Sequence, residues 1–189
     1  MKRLLLPVLS FFLLACGDDT LPKPKAYLRL EYPIASYEEV NISLPFSFEK
    51  NKLTESIKSI KSSSDALGVD LKYPSLKATI FLTYKKVEND NLDNLLRDAQ
   101  NLTQKHTIKA DEIFSDYFEN REDRVYGMFY QIGGDAASQS QFYVTDSINH
   151  FVSGSLYFYA KPNYDSLYPA SEYLKNDIKR LMETIRWKD

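Results

Sequence analysis

Cys16 is the only cysteine in this 189-residue chain, so no intramolecular disulfide can hold the fold. Whatever the chain builds must be held by core packing and backbone hydrogen bonds. The residues ahead of Cys16 account for its position. Lys2 and Arg3 make a positive start, Leu4 to Leu14 an apolar run broken by Pro7 and Ser10, and Ala15 a small residue at the end. The run is shorter than the ~20 residues that cross a bilayer, but it suits the apolar centre of a secretory leader. No later segment approaches a spanning length. The expected division is a leader over 1–15, a tether over 16–25 and one globular body over 26–189.

Leu13-Leu14-Ala15-Cys16 resembles a bacterial lipobox. That resemblance implies cleavage before Cys16, a diacylglycerol on its sulfur and a fatty chain such as palmitate on its amine. One acyl chain binds a membrane only marginally, at ~0.8 kcal/mol per buried methylene, whereas several together anchor stably. Membrane attachment is thus expected through the N-terminal lipid alone. Gly17 to Lys25, with Pro22 and Pro24 and no apolar period, reads as an extended spacer. Asp18-Asp19 suits either a lipoprotein sorting signal or a solvated linker.

The net charge is −2, and Lys2 and Arg3 lie in the leader, so the body is more acidic still. Such a balance argues against nucleic acid as a partner. Fourteen tyrosines and eleven phenylalanines raise the alternative of a glycan- or lipid-binding face. Most of them fall in strand-like runs, where such rings pack on half-buried sheets.

Alternation of apolar and polar residues predicts strands around Leu28–Tyr32 and Val40–Phe48. Residues 51–68 are polar, with Leu53, Ile57 and Ile60 spaced for a short helix. Val69–Tyr73 and Leu76–Val87 read as strands separated by Pro74-Ser75. Leu92, Leu95, Leu96, Ala99, Leu102 and His106 recur at three and four and predict a helix, with a second helical piece over Ala110–Phe118. Arg124–Ile132, Gln139–Asp146 and His150–Ala160 then form an antiparallel meander, turned at Gly133-Gly134-Asp135 and at Ser147-Ile148-Asn149. A closing helix is expected with Asp165 or Ser166 as cap, Pro169 in the first turn, and Leu174, Ile178, Leu181 and Ile185 on its apolar stripe. Trp187 is expected to pin the C-terminus. The fold class is α+β, an antiparallel β-sheet flanked by helices.

Catalytic candidates are sparse. His106 lies on an apolar helix face and His150 beside a turn, so a structural and a surface role are expected for them. HExxH, GxSxG, P-loop and GxGxxG patterns are missing from the sequence. Ser138 reads as a hairpin residue, and two dispersed histidines make a transition-metal site improbable. The carboxylates Asp111-Glu112, Asp116 and Glu122-Asp123 offer glycosidase-like pairs only if the fold brings two of them together. Asn41 and Asn101 open glycosylation sequons. Asp19-Thr20-Leu21, Asp146-Ser147-Ile148 and Asp165-Ser166-Leu167 match a short acceptor pattern for O-glycans in Bacteroidota envelopes.

Several stretches together resemble one family. They include Pro24-Lys25-Ala26-Tyr27-Leu28-Arg29-Leu30, Leu44-Pro45-Phe46-Ser47-Phe48-Glu49, Tyr73-Pro74 and Ala78-Thr79-Ile80-Phe81-Leu82-Thr83-Tyr84. Lys105-His106-Thr107-Ile108-Lys109-Ala110, Val125-Tyr126-Gly127, Thr145-Asp146-Ser147, Gly154-Ser155-Leu156-Tyr157-Phe158 and Leu181-Met182-Glu183-Thr184 continue the likeness. The family is the gliding-motility lipoprotein GldD of the Bacteroidota; residues 50–70 fit it poorly. The resemblance implies a non-enzymatic component of the gliding machinery, linked to type IX secretion, with partners in that machinery. It brings no catalytic residue, cofactor or metal. It implies a place in the cell envelope, at the outer membrane and on its periplasmic side. The element order also has a fold-level similarity to the Mog1/PsbP-like α/β/α sandwich.

Overall fold

The computed structural model describes residues 30–40, 43–61, 66–160 and 163–188. Cys16, the tether, Asp19-Thr20-Leu21 and Asn41 lie outside them. The centre is a seven-stranded antiparallel sheet in the order β4-β5-β6-β10-β9-β8-β7. Its strands are β4 (Ser56–Lys61), β5 (Leu67–Tyr73), β6 (Ala78–Lys86), β7 (Ala110–Asn120), β8 (Val125–Gly134), β9 (Ser138–Thr145) and β10 (His150–Phe158). The meander β8-β9-β10 forms as its turn residues predict, and β6 pairs along the whole of β10, from Lys86 opposite His150 to Ala78 opposite Phe158.

The two described α-helices lie on opposite faces. Successive strand residues point to opposite sides of a sheet. Phe142 and Val144 of β9 share a core with Leu174, Ile178 and Leu181 of α2 (Tyr164–Thr184), while Tyr143 between them packs with Leu95 of α1 (Leu92–Gln104). The α2 side holds the larger core and is closed at one end by Phe46 and Phe48. Two short ribbons complete it: β1 (Tyr37–Glu39) pairs with β3 (Glu49–Asn51), and β2 (Phe46–Ser47) with β11 (Arg186–Trp187). Trp187 closes the C-terminus as expected, meeting Phe46 edge-on and donating its indole N–H to the Arg124 carbonyl at 3.1 Å.

Two glycines permit the sheet to close. A Cβ on Gly127 would lie 1.9 Å from the Tyr143 carbonyl oxygen, and one on Gly154 would lie 2.1 Å from the Phe142 ring. No side chain fits at either position without moving a strand or a core ring.

Five local expectations need correction. Within 51–68, where a short helix is expected, residues 56–61 form strand β4; its backbone pairs with β5 from Ser56 opposite Lys72 to Lys61 opposite Leu67, which outweighs helical spacing in a serine-rich segment. Ala110–Phe118 is not helical but the first part of edge strand β7, because Ile113, Phe114, Tyr117 and Phe118 suit a pleated surface and β8 supplies the ladder. Residues 30–36 run without strand structure past Pro33, and pairing starts at Tyr37. In the alternating run after Val40, Val40, Leu44, Phe46 and Phe48 are all buried, though only residues 46–47 and 49–51 form strands. Finally, α2 starts at Tyr164, which places Pro169 beyond its first turn. Neither Asp165 nor Ser166 is the cap: Asn163 holds that position without a side-chain bond, and Asp135 accepts the Tyr164 amide at 2.9 Å from across the β8–β9 turn.

Candidate functional site

His106 follows α1 in a 3-10 turn, Lys105–Ile108, rather than on the helix itself. It joins a short polar chain on the α1 side of the sheet. The Thr103 hydroxyl donates to Gln141 Oε1 at 2.8 Å, which turns the Gln141 amide NH2 toward His106 Nε2 at 2.9 Å. His106 is therefore the acceptor, neutral at Nε2, and partial burial lowers its pKa in the same sense. A ring whose Nε2 lone pair is taken by an amide has none left for activating a hydroxyl. His106 is thus hydrogen-bonded within the fold through Gln141.

Two clefts flank this chain, one on each side of α1. The first, of about 180 Å³, is lined by Leu95, Tyr130, Gln141, Phe151 and Gly154 among others. The second, of about 400 Å³, is lined by Gln104, Thr107, Glu112, Ser115 and again Tyr130. Thr103 and Tyr130 belong to both. Burial, and then the neighbouring Tyr143, push the Tyr130 hydroxyl up to about 12, so it stays protonated and able to donate.

His150 is not at the surface. Its ring stacks on Trp187 with centroids 5.0 Å apart and planes 5° from parallel, and its Nδ1 is 3.0 Å from the Tyr84 hydroxyl. A buried neighbour, Asp146, organises the adjoining turn: its Oδ1 accepts the backbone N–H groups of Ile148, Asn149 and His150 at 2.8–2.9 Å. Burial raises the Asp146 pKa, but those three amides and His150 more than offset it, so the carboxylate titrates below its ordinary range. Ser147, the hydroxyl of the Asp146-Ser147-Ile148 motif, is exposed at the tip of this turn with a left-handed backbone, φ 66°. In Asp165-Ser166-Leu167 the exposed Ser166 donates to the Asn163 carbonyl at 3.0 Å. Asn101 is also exposed, on α1. Ser138 is fully buried and donates to the Ser140 carbonyl at 3.1 Å.

The candidate carboxylates are dispersed. Asp111-Glu112 stands at the start of β7, and Glu122-Asp123 lies in the turn after its end. Some 25 Å of extended strand separates the two groups, by the ~3.3 Å rise per residue, well beyond the ~9.5 Å upper limit for a glycosidase pair. Asp116 lies between them, 4.0 Å from Lys179. Asp123 is tied to Arg186 at 2.9 Å and to Asn120 at 2.7 Å. Among the described residues no group of three or more His, Cys, Asp or Glu side chains could hold a metal ion. No described helix is long and apolar enough to cross a membrane.

The most connected polar site was not singled out from the sequence. Asp177 is buried on α2, accepts the Tyr37 hydroxyl at 2.8 Å, and binds the Asn51 amide at 3.0 Å through both oxygens. Asn51 also donates to the Tyr173 hydroxyl at 3.1 Å. Burial raises the pKa of Asp177 despite these hydrogen bonds. Beside it Arg180 pairs with Glu49 at 2.7 Å and lies over the Tyr37 ring, and Tyr32 stacks on Tyr173 with centroids 5.0 Å apart. This cluster fastens the β1–β3 ribbon, and with it Tyr32, to α2. Its trace in the sequence is a carboxylate inside the apolar stripe, three residues after Leu174.

None of these clusters joins a nucleophile, a free base and an orienting group. No curated protein and no solved structure matches the chain, so the α/β/α layering carries no fold-family name. A family model does match: that of the gliding motility lipoprotein GldD, over residues 17–187. With nearly all the sequence beyond Cys16 covered, the chain belongs to the GldD family of gliding-motility lipoproteins.

Proposed function

We propose that this protein is a non-enzymatic component of the gliding machinery, linked to type IX secretion and held at the membrane by acylated Cys16. The observation that carries this reading is the family match, whose span opens at the residue directly after Cys16. The dispersal of His106, His150, Ser138 and the acidic pairs supports the non-enzymatic part. Residues 16–25 serve as the spacer between lipid and a body formed by residues 26–189. The anchor sits in the outer membrane, with the body on the periplasmic side among other proteins of the machinery. A clean deletion should abolish both colony spreading and secretion. Spreading and secretion should return with the His106→Ala, Asp116→Ala and Asp111→Ala/Glu112→Ala variants. Normal spreading and secretion in the deletion strain would overturn the assignment, and loss of either in a folded variant would overturn the non-enzymatic role.

The hydroxyl- and amide-lined clefts beside α1 favour a second reading, a glycan ligand stacked on Tyr130. Full spreading by a Tyr130→Ala/Gln104→Ala variant would remove it.

A further inference from the structure

β7 is an open edge with an acidic guard. Among the described residues it pairs with β8 alone, in unbroken register from Ile113 opposite Ile132 to Asn120 opposite Val125. Its outer row of backbone donors and acceptors therefore has no described strand beside it. A bulge interrupts the ladder only at its start, between Ala110 and Glu112. The strand carries Asp111, Glu112, Asp116 and Glu119 with no basic residue, and β8 behind it carries no charge of either sign. Two such edges brought together would set carboxylates against carboxylates, which disfavours a second copy of the chain as the occupant. A basic strand meets no such barrier.

The two faces of this edge differ. Cross-strand neighbours share a face, so Phe114, Asp116 and Phe118 lie on the α2 side with Phe129, and Ile113, Ser115 and Tyr117 lie on the α1 side with Tyr130. On the α2 side a pocket of about 190 Å³ opens between Asp116, Phe118 and Phe129 and the helix residues Lys179, Met182 and Glu183. It already takes a cation from the chain itself: Lys179 Nζ is 5.4 Å from the centre of the Phe129 ring and 4.0 Å from Asp116. A carboxylate beside an aromatic face suits an ammonium or guanidinium group. Asp116 and Glu183 are both exposed, and one lysine balances only one of them. The other charges close to the edge are already matched, Glu119 by Arg121 and Glu172 by Lys175. On the α1 side Tyr117 is 64% exposed and Ile113 half-buried, a row that an apolar side chain would cover.

We propose that the β7 edge takes up an extended, basic segment of a partner protein as an added strand. Its Lys or Arg side chains face Asp116 and Glu183 on the α2 side, and the apolar residues alternating with them lie along Ile113 and Tyr117. Main-chain hydrogen bonds to β7 hold the segment, and the two faces select its sequence. The proposal does not depend on the role in gliding. Its readout is peptide binding rather than spreading, so its failure leaves that assignment untouched.

The test uses the full-length protein in nonionic detergent micelles, with empty micelles as the blank, and the fluorescence anisotropy of a labelled octapeptide alternating lysine and valine. Saturable binding is expected, weakening as salt rises. The same peptide with glutamate for lysine should not bind. Asp116→Lys/Glu183→Lys should lose the lysine peptide and gain the glutamate peptide, a reversal that misfolding would not produce. Successive amides of a strand point to opposite edges, so N-methylation of one alternating set should abolish binding while methylation of the other leaves it. Absent binding, equal binding of both peptides, a failed reversal, or equal effects of the two methylation patterns would each overturn the proposal.

Discussion

Asp146 and Asp177 are both buried carboxylates, and their surroundings push them in opposite directions. Three amides converging on Asp146 hold its folded pKa below the unfolded value. Its contribution to stability is therefore present above that unfolded value and is lost as pH falls through the folded one. Asp146→Ala leaves three amides without an acceptor and should cost about 3 kcal/mol at pH 7, shrinking on acidification, as read from urea unfolding at pH 7 and pH 3. Asp177 behaves in reverse. Burial raises its folded pKa, so the folded state holds the proton more tightly, and stability declines as pH rises from the unfolded value through the folded one. Asp177→Asn has no proton to lose. Its stability relative to the parent should improve between pH 3 and pH 7, and a difference independent of pH would contradict the assignment. The Asp146 turn was legible from its position between two strands. Asp177 was not, because its burial depends on Tyr37 and Asn51, more than a hundred residues away.

At the scale of elements, the parts that could be read were those whose local pattern and tertiary setting agree. The meander β8-β9-β10, strands β5 and β6, and both amphipathic helices fall where periodicity and turn residues place them. β4 and β7 escaped because each is a sheet edge whose backbone is satisfied by a single neighbour. One-sided burial leaves a mixed pattern that fits a helix equally well. Gly127 shows how tight the interior of the sheet is. Gly127→Ala drives a methyl into the Tyr143 carbonyl, a backbone atom that cannot rotate away, and should cost about 3 kcal/mol, at the upper end of ordinary overpacking penalties. Gly154→Ala meets a ring that can shift and should cost less, so the ranking of the two midpoints in thermal unfolding checks the explanation. Trp187→Ala should remove about 2 kcal/mol, because the half-buried indole stacks on His150 and caps Phe46. Fluorescence-independent unfolding by circular dichroism measures that loss.

On the scale of the whole molecule, the described residues form a seven-stranded sheet between two helices, with the β1–β3 ribbon and Tyr32 fastened to α2. The family was legible in the sequence because its matching residues extend over nearly the full chain, whereas the buried clusters around Asp177 and His150 required the fold. In the proposed account a lipid on Cys16 makes the membrane contact; no described helix is long and apolar enough to cross a membrane. The most direct test is colony spreading by a strain whose only copy of the protein carries Cys16→Ala. A chain released from the membrane and a colony that fails to spread are predicted; full spreading with the chain unanchored would contradict the central claim.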